Sequence, residues 1–320
     1  MLYIYRRHAS TGARDVVESL QELGINARRL NDLARAHFGQ GVRSGDHVVC
    51  WGEGGLTLPA GVQVLNNAPV VNKFTEAQTL AAAGVPTVLV SRTRPVVEAA
   101  RPVVDPFIAE SERVREVVSN FSDAPWLRGP VFADAVAEVM SALSRIRTVN
   151  SVPVPLAPTQ PQATWLPRRN NHVGGSDLLT IPAIPDYYSR KEPIIQEYRI
   201  HSFKGKSIRA GQKAPRVGFP SPHAWIRSYD AGWFINYEGF ESTQAMRELA
   251  ASAVRALGLD FGAVDIGQKQ DNSLIVLEVN RAPGSEGGTS NAYAATINRW
   301  IQGEFNEQTD RNRGRSRRAA

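Results

Sequence analysis

Leu274-Ile275-Val276-Leu277-Glu278-Val279-Asn280, followed by Arg281-Ala282-Pro283-Gly284, decides how this chain is read. The seven residues have the composition of a buried strand, yet they carry a carboxylate and an amide two positions apart. Successive strand side chains alternate faces, so Glu278 and Asn280 point the same way. An isolated carboxylate in such an apolar run is expensive to bury. A hard cation held by oxygen ligands resolves the conflict. A further oxygen ligand, Asp265, stands upstream in Phe261-Gly262-Ala263-Val264-Asp265-Ile266. Two adjacent strands, each offering a carboxylate on one face, make a magnesium platform.

Working outward, Thr243 to Leu257 reads as an amphipathic helix that ends at Gly258. Met246, Leu249, Ala250, Ala253, Val254 and Leu257 fall on one face. Ile194 to Phe203 reads as a strand, Lys204-Gly205-Lys206 as a tight turn, and Ser207 to Lys213 as the antiparallel return. Trp165 to Arg169 precedes the loop Asn170 to Asp177, whose Gly174-Gly175-Ser176 offers backbone N–H groups of the kind that cover phosphates. Cations surround this set: Arg168, Arg199, Lys213 and Arg227. An inward guanidinium at Arg199 must meet an anion, and phosphate suits its fork. A salt bridge to Glu197 or Glu192 satisfies it equally well, and both readings stand.

Upstream, residues 1 to about 70 alternate strand and helix signals, which predicts a small α/β domain. Leu2 to Tyr5, Asp46 to Trp51 and Val62 to Leu65 are short apolar runs, and Val16 to Leu23 is helical up to Gly24. Asn72 caps a helix running through Ala83, stopped by Gly84 and Pro86. Val85 to Val90 reads as a strand. Helical stretches are expected at 107–119 and 131–146, before a linker stiffened by Pro153, Pro155, Pro158 and Pro161.

Composition bounds the class. The 320 residues are 42% hydrophobic and contain no long apolar run of membrane-spanning length. The start, Met1 to Arg7, turns charged too early for a secretory signal and reads as a first strand. Cys50 is the single cysteine, so a reducing compartment is expected, with Cys50 as a buried strand residue. The net charge of +6 lies largely in the tail, where Arg311, Arg313, Arg315, Arg317 and Arg318 cluster. Such a tail can bind a polyanion, but a solvated terminus is the favoured reading.

The order of these pieces resembles the ATP-grasp superfamily. The likeness is to its carboxylate–amine ligases, which include ribosomal-protein glutamate ligases and glutathione synthetase-like enzymes, and to their phage-associated members. The resemblance covers about 70–95 and 164–300. It rests on Gly258 to Asp265 with Leu277 to Gly284, on Gln196 to His201 with Gly205 and Gln212-Lys213, and on Asn72-Lys73. It implies an α/β (α+β) ATP-grasp fold divided at 1–70 (small N-terminal α/β domain), 71–163 (linker helix, strand and helical insertion), 164–303 (nucleotide and metal domain) and 304–320 (basic tail).

The resemblance also implies roles. Asp265, Glu278 and Asn280 would hold Mg²⁺ (or Mn²⁺) bridging ATP phosphates. Lys73, Arg168, Gly174, Gly175 and Ser176 would contact ATP. Arg199 and Lys213 would stabilise the transferring phosphoryl group, Arg227 would lie near the acceptor carboxylate, and Arg281 and Ser285 would meet substrate. Arg168 stands where the family usually has lysine, which changes a point charge into a fork. The implied reaction is ATP-dependent joining of an amino acid or other amine to a carboxylate through an acyl phosphate, with release of ADP. Alternatives are a Mg-ATP-binding protein without turnover, or a ligase acting on a macromolecule, either a protein or modified DNA reached through the basic tail. The expected setting is the cytoplasm, or the host cytoplasm for a phage-encoded member, with no membrane association. Outside the motifs, His172 and His201 are weighed as site residues against surface and core roles. Trp225, Trp233 and Tyr237 are weighed as stacking groups against core packing, which is favoured.

Overall fold

The computed structural model describes residues 1–8, 10–31, 41–95, 165–170, 184–219, 222 and 226–305. Contacts divide the chain into two units, Met1–Arg94 with Thr164–Ala320, and Pro95–Ala163. The elements below belong to the first. The helices expected at 107–119 and 131–146, the proline-spaced linker, the glycine loop and the arginine tail lie outside the described residues.

The first segment forms a parallel sheet. Its strands are β1 (Leu2–Tyr5), β2 (Ala27–Leu30), β3 (His47–Cys50) and β4 (Gln63–Leu65), in the order β2-β1-β3-β4. Helix α1 (Thr11–Glu22) makes the β1-to-β2 crossover. Ser10 caps it by accepting the Ala13 N–H, and Gly24 leaves it at a φ of 76° that a side chain would resist. Cys50 is fully buried on β3 and its thiol is pushed up to about 12, first by burial. Strand β2, with exposed arginines at its centre, carries too little apolar signal to be read in advance.

Helix α2 (Lys73–Ala82) begins where Asn72 accepts the Thr75 N–H, as its sequence predicts. The strand expected at Val85 to Val90 is only partly formed. Strand β5 is Val90–Ser91, and Thr87 makes a lone bridge to Val276. Pro86 has no N–H to give a ladder, but its carbonyl accepts from Val276 N. With β6 (Trp165–Arg168) and β7 (Tyr187–Arg190), β5 forms an antiparallel sheet ordered β5-β7-β6.

The largest sheet is antiparallel and ordered β10-β9-β8-β11-β12. It comprises β8 (Ile194–Phe203), β9 (Lys206–Pro215), β10 (Trp233–Asn236), β11 (Phe261–Lys269) and β12 (Leu274–Asn280). Lys204 and Gly205 join β8 to β9 with φ of 44° and 78°, the two positive values of a two-residue hairpin turn. Helix α3 (Gln244–Ala256), capped by Thr243, lays Met246, Ala250, Ala253 and Val254 against one face, where Ile200, Val264, Ile266, Val276 and Val279 meet them. Helix α4 (Thr289–Ile301) packs with α1. Its Tyr293, Ala294, Ile297 and Trp300 share one core with Leu2, Ile4, Trp51, Phe203 and Phe261. The N-terminal sheet and the large sheet are thus joined by continuous apolar packing, reinforced by Asn66. That side chain accepts from Asp260 N and Phe261 N and donates to Phe261 O. Among the described residues no helix is long and apolar enough to cross a membrane.

Candidate functional site

The face of the large sheet opposite α3 floors a cleft of about 470 Å³, whose lining includes Leu166, Arg168, Tyr187 and Arg190 from the three-stranded sheet. Register places three charged residues in one row. Asp265 on β11 lies opposite Arg199 on β8 and opposite Glu278 on β12. Arg199 meets Asp265 through two hydrogen bonds, from Nε to Oδ1 at 2.7 Å and from Nη2 to Oδ2 at 2.8 Å. The partners weighed for it in the sequence, Glu197 and Glu192, are engaged elsewhere. Glu192 binds Arg190 and Lys269, and Glu197 binds Lys213.

A bulge explains how β12 carries a carboxylate through an apolar layer. Pairing with β11 shifts between Asp265 and Ile266, so Val276 faces Ile266, Glu278 faces Asp265, and Leu277 is the extra residue. Val276 and Val279 remain in the layer against α3, while Leu277, Glu278 and Asn280 line the cleft. The Asn280 amide donates to Glu278 Oε1 at 3.0 Å, and Lys73 Nζ lies 3.2 Å from Glu278 Oε2. Burial works against a charged Glu278, but Lys73, the Asn280 amide and Arg199 outweigh it and hold the carboxyl well below the usual carboxylate range. Burial likewise opposes the charge on Lys73, and Glu278 and Glu76 hold it above the ordinary lysine value.

The donor set on this face is two carboxylates and an amide, all able to offer hard oxygen, which fits Mg²⁺ or Mn²⁺. Among the described residues no cluster of three or more His, Cys, Asp and Glu side chains forms a metal group, so any cation here relies on Asn280 and on ligands from a bound anion.

The remaining cations form a second group. Lys213 Nζ lies 2.7 Å from Glu197 Oε2, and Arg227 Nη1 lies 3.7 Å from Glu197 Oε1. Arg227 also donates to the carbonyls of Ile194 and Ile195 and stacks over Trp233 at 5.1 Å. Its Nε and Nη1 are buried and make no hydrogen bond among the described residues.

The structure therefore brings Lys73, Arg168, Arg199, Lys213, Arg227, Asp265, Glu278 and Asn280 to one cleft. Gly174, Gly175, Ser176, His172 and Trp225 lie outside the described residues. Arg281 and Ser285 do not line the cleft. Arg281 turns back to donate to the carbonyls of Ala68 and Pro69, and Ser285 hydrogen-bonds Asp15, lowering that carboxyl. His201 does not line it either. It is buried between the hydroxyls of Tyr237 and Tyr293, at 3.1 and 3.3 Å, and is pushed down to about 3, first by burial and then by Arg199 and Arg209. Trp233 lines the cleft, while Tyr237 packs under Arg209. Glu76 and Glu197 are site residues that the motifs did not single out as such. Glu76 had a readable signal, one helical turn after Lys73.

No family model matches the chain, and comparison with curated proteins finds no match. Solved structures do match. The ATP-grasp ligase PsnB complexed with precursor peptide PsnA2 and AMPPNP is similar over 95% of this chain and 97% of that chain, with a TM-score of 0.50 and 13% identity. The same ligase complexed with minimal precursor, Mg and ADP is similar over 94% and 97%, again at 0.50 and 13%. D-alanine–D-alanine ligase from Bacillus anthracis aligns over 98% and 99%, at 0.49 and 14%. The chain shares the ATP-grasp fold of these structures.

Proposed function

We propose that this chain is an ADP-forming carboxylate–amine ligase. The observation that carries the reading is the row Arg199–Asp265–Glu278 across three strands, with Asn280 and Lys73 beside it, on the floor of one cleft. Every charged group in that row is matched by an opposite charge, so nucleotide phosphates and a divalent cation would exchange one set of pairings for another without stranding a buried charge.

In this reading Asp265, Glu278 and Asn280 would hold Mg²⁺ or Mn²⁺, which would supply positive charge to offset that of the nucleotide phosphates. Lys73 and Arg168 bind phosphate, with the Gly174-Gly175-Ser176 loop as a cover. The acceptor carboxylate docks beside Arg227, which lines the cleft. One of its oxygens attacks the γ-phosphorus, the bond to the leaving ADP oxygen breaks, and Arg199 and Lys213 offset the charge of the transferring group. An amine nitrogen then attacks the acyl carbon, the C–O bond to phosphate breaks, and the amide forms with loss of a proton from nitrogen. Arg281 and Ser285 do not line this cleft and are assigned no step in it.

The test is ADP release across a panel of carboxylates and amines, with Glu278→Ala as the reference. Substrate-dependent release by wild type that the variant lacks is expected. Equal background release by both, across the panel, would sink the enzymatic reading. Tight Mg-ATP binding without turnover would leave a binding protein instead.

A further inference from the structure

Among the described residues β12 is the edge of its sheet, and the free side of its backbone has only the lone bridge to Thr87. Buried backbone N–H groups need partners. Val276 finds its partner in the chain after α2, where Pro86 O accepts its N–H at 2.8 Å and Thr87 Oγ1 donates to its carbonyl at 2.9 Å. Val279, which lies between Glu278 and Asn280, is served differently. Its N–H donates to a side chain, Glu76 Oε1 on α2, at 2.8 Å.

Glu76 is buried, with 7% of its surface exposed. Its other oxygen, Oε2, lies 3.7 Å from Lys73 Nζ, the same nitrogen that lies 3.2 Å from Glu278 Oε2. One carboxylate therefore touches both the backbone between two cleft oxygen donors and the lysine that pairs with the first of them. Just before α2, Arg281 ties down the Ala68 and Pro69 carbonyls, so the start of the helix is held to the end of β12 at a second point. A residue without an acceptor at position 76 would leave the Val279 N–H buried and unpaired, and the strand would relax where Glu278 and Asn280 are mounted.

We propose that Glu76 is a positioning residue: its hydrogen bond to Val279 sets the spacing between the Lys73 helix and the Glu278–Asn280 pair, and through it the geometry of the divalent-cation ligands. This rests on the metal–nucleotide reading above. The assignment separates geometry from charge. Glu76→Gln keeps an oxygen in place to accept from Val279, while Glu76→Asp keeps the charge and shortens the reach.

The experiment is Mn²⁺ binding to the full chain, followed by electron paramagnetic resonance, with a non-hydrolysable ATP analogue present. Glu76→Asp and Glu76→Ala should weaken Mn²⁺ binding about tenfold or more, as loss of an outer-sphere partner does, and Glu76→Gln should stay within about threefold of wild type. Thr243→Ala, which removes the cap of α3, should lower Tm and leave Mn²⁺ affinity unchanged. Glu76→Asp binding like wild type, or Glu76→Gln binding as weakly as Glu76→Asp, overturns the proposal while wild-type binding upholds the functional reading. Absence of Mn²⁺–nucleotide binding in wild type overturns that reading and the proposal with it. Should Glu76→Ala not fold, the Gln and Asp pair decides alone.

Discussion

Arg199 and Asp265 face each other across β8 and β11 and share two parallel hydrogen bonds, of 2.7 and 2.8 Å. The fork geometry is specific to arginine. Arg199→Lys keeps the charge but loses the planar two-nitrogen fork that holds Asp265 in the row. ATP turnover should fall about tenfold or more with Tm little changed. Arg199→Ala leaves Asp265 buried without a cation and should cost about 3 kcal/mol, read as a lowered denaturant midpoint. Turnover by Arg199→Lys equal to wild type would argue that the fork to Asp265 does not set the geometry of the row.

Lys73 lies 3.2 Å from Glu278 and also lines the cleft. Lys73→Met removes the cation while roughly keeping the length of the chain. The KM for ATP should rise about tenfold, worth about 1.4 kcal/mol of binding. Steady-state rates at varied ATP check this.

Lys213 and Arg227 share Glu197 but are assigned different anions. Lys213→Met should lower kcat. Arg227→Lys should raise the KM of the carboxylate substrate found in the turnover screen while leaving the KM for ATP within about twofold. Parallel effects of the two variants on both constants would mean that they serve one anion.

His201 is buried and held neutral, at about 3 against an ordinary value of 6.5. A histidine whose pKa is depressed by folding binds fewer protons in the native state than in the unfolded one. Stability is therefore undiminished above about pH 6.5, falls by about 1.4 kcal/mol per unit of pH below it, and stops falling near pH 3. His201→Gln removes that slope. Denaturant midpoints of wild type and variant, compared from pH 7 to 4, should converge as the pH falls.

Gly211 stands opposite Arg199 on β9. A Cβ there would come within 2.8 Å of the Asn236 carbonyl oxygen and 2.7 Å of Ile235 Cγ2. Backbone on a paired strand gives little, so Gly211→Ala should cost about 1–3 kcal/mol and lower Tm by several degrees. A differential scanning trace measures it.

Much of this protein is local and therefore legible in one dimension. Asn72, Thr243, Gly24 and Gly258 mark helix ends because capping is settled within a few residues. The bounds of β8 and its Lys204–Gly205 turn follow from alternation and turn chemistry. Asp265, Glu278 and Asn280 stand out because a polar oxygen in an apolar strand needs a partner, whatever surrounds it. Tertiary structure decided who the partners are. Arg199 could meet phosphate, Glu197 or Glu192 on sequence grounds, and only the order β8-β11-β12 sets it against Asp265. Arg281, one residue past Asn280, reads as a neighbour of the site, but the chain turns there and carries its guanidinium back to Ala68 and Pro69. Glu76, some two hundred residues from Val279, serves an edge N–H that exists only once β12 is the last strand of its sheet. Spacing along a chain determines which face a side chain takes. It does not determine what lies across from it, because strand order and burial are properties of the whole fold.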